Sequence, residues 1–184
     1  MWRKFCKLLI RLWGWKTVNG VMPHKKAIII GVPHTSAWDF VIAYLYYTSV
    51  GGVANIVIKK EFFFWPLGFL LRKMGAIPID RSKGTSVVKQ ILKEMNSRDV
   101  MHLAITPEGT RHLSKRWKAG FHTIAKATGA VIYLGFFDFG RKEIGWIDTL
   151  ELTDDAEADL RRMKAYYRAK GIVGKYPDQF TAED

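Results

Sequence analysis

The chain alternates between short β-branched runs and segments whose apolar residues recur every three or four positions. Residues 25–32 (Lys-Lys-Ala-Ile-Ile-Ile-Gly-Val) read as a buried strand, and the apolar stretch at 41–47 reads as the start of a helix. Further strands are expected at 53–59, 75–81, 100–106 and 130–139, with a hairpin partner at 144–147. Between 82 and 97, Val87, Val88, Ile91, Leu92 and Met95 form a helical stripe against Lys89, Lys93 and Glu94. A second helix runs through Phe121, Ile124 and Ala125 until Gly129 ends it. The run Asp154-Asp155-Ala156-Glu157 opens a last helix whose inner face is Leu160, Met163 and Tyr167. Alternation of this kind predicts one α/β domain with a largely parallel sheet flanked by helices and an antiparallel hairpin near its C-terminal end.

Two segments fall outside that alternation. Residues 2–15 place Trp2, Phe5, Leu9, Leu12 and Trp13 between Arg3, Lys4, Lys7 and Arg11 at helical spacing. That predicts an N-terminal amphipathic helix with a cationic face, suited to a lipid–water interface, and a division into residues 1–16 and a domain at 17–184. The run 62–71, Phe-Phe-Phe-Trp-Pro-Leu-Gly-Phe-Leu-Leu, is flanked by basic residues and too short to cross a bilayer. It is expected to be a kinked piece that is either buried or turned toward acyl chains. The uncharged run 40–58 is broken by Gly51, Gly52 and Asn55, so it reads as helix, turn and strand rather than a membrane span. No signal peptide is expected from residues 1–15.

Charge narrows the partners. The 184 residues carry a formal net charge of +12, which calls for an anionic partner. The aromatics lie in apolar runs rather than among the basic residues, and no nucleic-acid motif accompanies the charge, so nucleic acid is not the expected partner. The single cysteine, Cys6, excludes an internal disulfide and fits a reducing compartment. His102, His112 and His122 match no compact ligand spacing, so no metal site is expected.

Chemistry concentrates where strands are expected to end. His34 follows the first long strand, and Asp39 stands five residues on, inside the first helical turns; Thr35 or Ser36 is the expected N-cap. Arg81 closes the strand at 75–81, and Pro107-Glu108-Gly109-Thr110-Arg111 follows the one at 100–106. Lys118-Ala119-Gly120 comes after a basic loop. Taken together, these runs resemble the glycerolipid acyltransferase family, in particular the 1-acylglycerol-3-phosphate acyltransferases, over residues 26–136. The family's histidine, four residues and aspartate are met by His34 and Asp39, its glycine-led strand ending in arginine by 75–81, and its Pro-Glu-Gly-Thr-Arg run by 107–111. The family's proline in the strand after the glycine turn is missing from residues 130–134, which bears on chain-length preference rather than on the reaction.

The resemblance implies transfer of a fatty acyl group from a thioester, acyl-CoA or acyl carrier protein, to a lysophospholipid hydroxyl, with no further cofactor. Such transfer needs a base, and an imidazole, with its ordinary pKa of about 6.5, suits that work. His34 is the expected base, with Asp39 fixing its tautomer. Arg81 and Arg111 are expected to grip a phosphate, aided by Glu108, Gly109, Thr110 and Lys118. Thr35 and Ser36 are close enough to raise an acyl-enzyme route, ranked below direct transfer. The expected setting is the cytoplasmic face of an anionic membrane, peripherally bound. The competing readings are an acyltransferase for another lysolipid or amino lipid, and a non-catalytic lipid-binding protein.

Overall fold

The computed structural model describes residues 1–80 and 86–183, and Arg81 therefore lies outside the described residues. In chain order the helices are α1 (Trp2–Leu12), α2 (Trp38–Val50), α3 (Leu67–Lys73), α4 (Val87–Asn96), α5 (Gly120–Thr128) and α6 (Ala156–Lys170). The strands are β1 (Lys16–Val18), β2 (Lys26–Val32), β3 (Ala54–Lys59), β4 (Ala76–Ile79), β5 (Met101–Ile105), β6 (Val131–Asp138) and β7 (Glu143–Leu150). They form one sheet in the order β1-β7-β6-β2-β5-β3-β4. Every neighbouring pair is parallel except β6 and β7, which form the expected antiparallel hairpin, with an irregularity at Leu134/Gly135.

The strand that precedes His34 sits between β5 and β6, inside the sheet. Its alternate residues feed two cores, as a two-residue period requires. Ile28, Ile30 and Val32 pack with Ile91 of α4, Phe121 and Ile124 of α5, and Leu160, Met163 and Tyr167 of α6. Ala27 and Ile29 face Ile42, Leu45, Tyr46 and Tyr47 of α2, and Cys6 and Ile10 of α1. The sheet is not continuous along its whole length. β5 and β3 pair only through Ala54 with His102 and Asn55 with Leu103. Beyond that point β3 pairs with β4 alone, from Ile56 to Lys59.

α1 lies antiparallel on α2. Arg3 donates from Nε to the Ser49 carbonyl (3.1 Å) and from its guanidinium to the Val50 carbonyl (2.8 Å), placing a cation at the negative end of α2. At the other end the rings of Trp13 and Trp38 meet edge to face, 5.9 Å apart. Trp2, Phe5, Leu8 and Leu12 of α1 are exposed, although Trp2 donates its indole N–H to the Tyr44 hydroxyl of α2 (3.0 Å).

Three local features stand apart from the regular alternation of strands and helices. β1 has no signal in the sequence: it has only three residues, Lys16 and Thr17 are exposed, and no apolar alternation marks it. It pairs with β7, where Gly145 leaves no room for a side chain against the Val18 carbonyl. The apolar piece expected to be kinked at 62–71 is a single 3-10 turn (Lys60–Phe62) followed by α3, and it is not buried, with Phe62, Phe64, Trp65, Phe69 and Leu70 exposed. Finally, the residue before α2 is Ala37 rather than Thr35 or Ser36 and makes no side-chain cap, while the Ser36 hydroxyl accepts from the N–H of Trp38, the first residue of α2. Asp39 reaches back to the loop's own N–H groups, those of Thr35 and Ser36. The cap expected for the last helix is present: Asp155 accepts from the N–H groups of Glu157 (3.0 Å) and Ala158 (2.9 Å).

Candidate active site

β2 ends at Val32, and the loop 33–37 carries His34 over the end of the sheet before α2 begins. Asp39, in the first turn of α2, is 1 % exposed and organises this loop. One of its oxygens, Oδ2, accepts from the N–H of Thr35 (2.9 Å) and of Ser36 (2.8 Å) and lies 3.1 Å from His34 Nδ1. Asp39 Oδ1 is buried with no hydrogen-bond partner among the described residues. With Nδ1–H donating to the carboxylate, Nε2 keeps its lone pair and can accept a proton. The sequence brings these two residues within five positions; the loop makes them a hydrogen-bonded pair.

The hydroxyls beside them are engaged and buried. Thr35 Oγ1 accepts from the Tyr176 N–H (3.2 Å), and Ser36 Oγ accepts from the Trp38 N–H (3.2 Å). At 2 % and 6 % exposure neither is presented to a substrate as a nucleophile, which favours direct transfer over an acyl-enzyme. The contact from Tyr176 has no signal in the sequence. It seats the segment after α6 on the His34 loop, where Lys175 Nζ lies 5.0 Å from the Trp38 ring centre.

Glu108 does something other than expected. It turns inward, 4 % exposed, and Oε1 accepts from the backbone N–H of His34 (2.8 Å). No arginine contact to it is found among the described residues. Burial pushes its carboxyl up to about 7; the bond from His34 N–H works against this and the nearby Asp39 charge adds to it. Below about pH 4.5 the group is neutral in both folded and unfolded chains. As pH rises toward 7 the unfolded carboxyl ionises first, so stability should fall across that window and level off above it. Glu108→Gln keeps an acceptor for His34 and removes this dependence. Urea unfolding at pH 5 and pH 8 is expected to show wild type losing stability relative to the variant by on the order of 3 kcal/mol over that interval, the buried His102 acting alike in both.

Gly109 adopts a left-handed backbone (φ +67°), and a side chain there would meet Lys118 at 3.1 Å, so the Lys118 amine reaches past the glycine. The Lys118 N–H is held by the Pro107 carbonyl (2.8 Å). Thr110 Oγ1 accepts from the His112 N–H (3.2 Å), and Arg111 is exposed with no ion pair among the described residues. The three histidines that could suggest a metal sit in separate settings. His102 is buried between Tyr47 and the His24 carbonyl, His122 bonds to Asp159 (3.2 Å) and the Thr153 carbonyl, and His112 is exposed.

His34 and Asp39 open on a cavity of about 740 Å³. Gly109 and Lys118 line it near them, and most of the remaining wall is aliphatic or aromatic. A base with an oriented tautomer, a nearby ammonium and a long apolar cavity can deprotonate a hydroxyl next to an anionic group while holding a hydrocarbon chain.

Known proteins share both the fold and the segment that carries this geometry. The solved structure of the 1-acyl-sn-glycerophosphate (LPA) acyltransferase PlsC from Thermotoga maritima superposes with a TM-score of 0.62 at 13% sequence identity, covering 95% of this chain and 80% of that one. At that identity the likeness is one of fold. A search of the curated proteins finds no match. The family model for acyltransferases matches residues 17–133, from β1 through the first residues of β6, and so takes in His34, Asp39 and the 107–111 turn. The chain belongs to the acyltransferase family.

Proposed function

We propose that the protein transfers a fatty acyl group from a thioester, on coenzyme A or acyl carrier protein, to the hydroxyl of a lysophospholipid, with 1-acylglycerol-3-phosphate as the acceptor. The observation that carries this reading is the His34 imidazole, held on the buried Asp39 carboxylate at 3.1 Å and opening on the apolar cavity. Nε2 takes the proton of the acceptor hydroxyl as its oxygen bonds to the thioester carbonyl carbon. The tetrahedral oxyanion then re-forms the carbonyl as the C–S bond breaks, and the leaving thiolate takes the proton back from the imidazolium. Asp39 stays ionised and stabilises that imidazolium. Exposed Arg111 and Lys118 supply positive charge for the acceptor phosphate, with Arg81 and the Gly109–Thr110 backbone as further contacts. The Thermotoga maritima protein of similar fold is a 1-acyl-sn-glycerophosphate acyltransferase, which supports this choice of acceptor.

The expected setting is a membrane surface, on its cytoplasmic side. Among the described residues no helix is long and apolar enough to cross a membrane. β2, β3 and β5 are parallel, so the segments after β2 and β3 share the end that carries His34. Exposed Trp13 and Trp38, in contact with each other, and exposed Phe62, Phe64 and Trp65 after β3 lie at that end, a composition that favours the lipid–water interface. Replacing Trp2, Phe5, Leu8 and Leu12 with glutamine leaves the buried Cys6 and Ile10 in place. Sedimentation with anionic vesicles is expected to weaken about tenfold, with turnover of a short-chain, soluble acceptor kept. Equal sedimentation of variant and wild type would refute an interfacial role for α1.

The reaction itself is tested with palmitoyl-CoA and palmitoyl-acyl carrier protein against lysophosphatidate, other lysolipids and amino lipids, with products identified by mass spectrometry. Phosphatidate from one of the donors is the expected result. Vesicle binding without turnover of any pair would overturn the proposal in favour of a non-catalytic lipid-binding protein.

A further inference from the structure

Lys164, in the middle of α6, is 5 % exposed, a place where lysines are rarely found, and no step of the reaction proposed above uses it. Its ammonium donates to the carbonyls of Lys115 (2.9 Å) and Glu183 (2.8 Å) and lies 5.9 Å from the centre of the Trp117 ring. Taking an ammonium out of water is costly, and an apolar side chain of similar size would fill the same space without that cost. What the charge adds is a hold on two backbone carbonyls, 49 and 19 positions away in the chain. Lys115 belongs to the loop that carries Arg111 at one end and Lys118 at the other. Among the described residues, the other hydrogen bonds of residues 111–116 stay within 110–116. Trp117 is the one buried residue of 111–120, and its ring packs against Tyr167 of α6 (centres 6.2 Å apart) and Phe180 (6.1 Å). Lys118, the next residue, reaches past Gly109 to the cavity that His34 opens on. The segment after α6 also seats on the His34 loop, where a side chain at Gly174 would meet the Thr35 hydroxyl at 2.9 Å. Base and cations therefore rest on one support, C-terminal to every motif of the family.

Given acyl transfer to a phosphorylated acceptor as proposed above, we infer that Lys164 and Trp117 are positioning residues for the acceptor phosphate, fixing the loop from which Arg111 and Lys118 meet it. Neither lines the cavity. Lys164 holds the middle of the loop through the Lys115 carbonyl, and Trp117 anchors the backbone from which Lys118 projects. A loop released from α6 would keep its cations but lose their fixed distance from His34, so phosphate binding would have to order them first. The loss falls on binding of a phosphorylated acceptor and not on proton transfer at His34.

The test uses the full chain with Lys164→Met, which keeps the length and removes the charge, and Lys164→Arg, which can still donate to both carbonyls. Lys170→Met removes the same charge from an exposed position of the same helix and serves as the control. KM and kcat for lysophosphatidate are measured with palmitoyl-CoA, and calorimetric binding of hexanoyl-glycerol-3-phosphate gives a readout that needs no turnover. Lys164→Met is expected to raise KM about tenfold with kcat within about twofold, and to weaken hexanoyl-glycerol-3-phosphate binding in parallel. Lys164→Arg should recover most of the affinity, and Lys170→Met should match wild type. Should Lys164→Met not fold, Trp117→Phe decides, with an expected rise of about threefold in KM and Kd. Wild-type KM and affinity in the folded variant would overturn the inference, as would a fall in kcat at constant KM, the mark of lost stability alone. An equal loss of affinity in Lys170→Met would overturn it in favour of net charge. If wild type turns over no thioester, the function reading fails and the calorimetric comparison still decides. If wild type binds no hexanoyl-glycerol-3-phosphate, the inference falls.

Discussion

Replacing His34 with alanine is expected to lower kcat for acyl transfer by about 10³-fold, within the range that removal of a general base produces. The effect is expected on kcat, since a base acts when the hydroxyl proton is in flight, and the substitution leaves the apolar cavity and the exposed cations in place. His34 is partly exposed, and its ring makes one polar contact, to Asp39, so the variant should fold with a melting temperature within a few degrees of wild type. Added imidazole is expected to restore part of the lost rate, since the missing side chain leaves room beside Asp39 for the free base. A variant that keeps most of its activity would remove His34 from the reaction and with it the mechanism.

Asp39→Asn is the second large effect, expected at about 10²- to 10⁴-fold on kcat by analogy with the carboxylate that orients a triad histidine. An asparagine oxygen can still accept from the N–H groups of Thr35 and Ser36, so the loop has reason to keep its shape. What changes is the proton on the ring. An amide at 39 neither demands Nδ1–H nor stabilises the imidazolium, and the tautomer with the proton on Nε2 becomes accessible. Nitrogen-15 NMR of the His34 ring reports this directly: wild type should carry its proton on Nδ1, the variant a mixture. An unchanged tautomer with an unchanged rate would reduce Asp39 to a structural role in the loop.

The physical reasons for what is legible in the sequence differ from residue to residue. The run 26–32 is legible because it is continuously apolar and buried on both faces, and the stripe through Val87, Ile91 and Met95 because it carries a helical period and buries that one face. β1 is not, since three residues of which two are exposed carry no period, and their pairing depends on a glycine at 145. His34 and Asp39 are legible through their spacing taken together with the Gly75–Arg81 and 107–111 runs, and their contact is local. The inward turn of Glu108 onto the His34 N–H spans 74 positions and depends on β2 and β5 lying side by side. The expected cap misses by a position, since Ala37 and not Thr35 or Ser36 precedes α2, and the small polar residues of the loop do not mark where the first helical turn closes. The gap between β5 and β3 is a property of register, which no single strand's sequence displays.

The bond from the Tyr176 N–H to the Thr35 hydroxyl joins positions 141 residues apart. β2 likewise pairs with β5 and with β6, each made long after it. On a chain that emerges from its N-terminus, the histidine is synthesised early and its surroundings late. A nascent chain therefore carries α1 and the His34 loop long before the strands and the C-terminal segment that hold that loop in place exist, and the His34–Asp39 pair reaches its final surroundings only when synthesis is nearly complete.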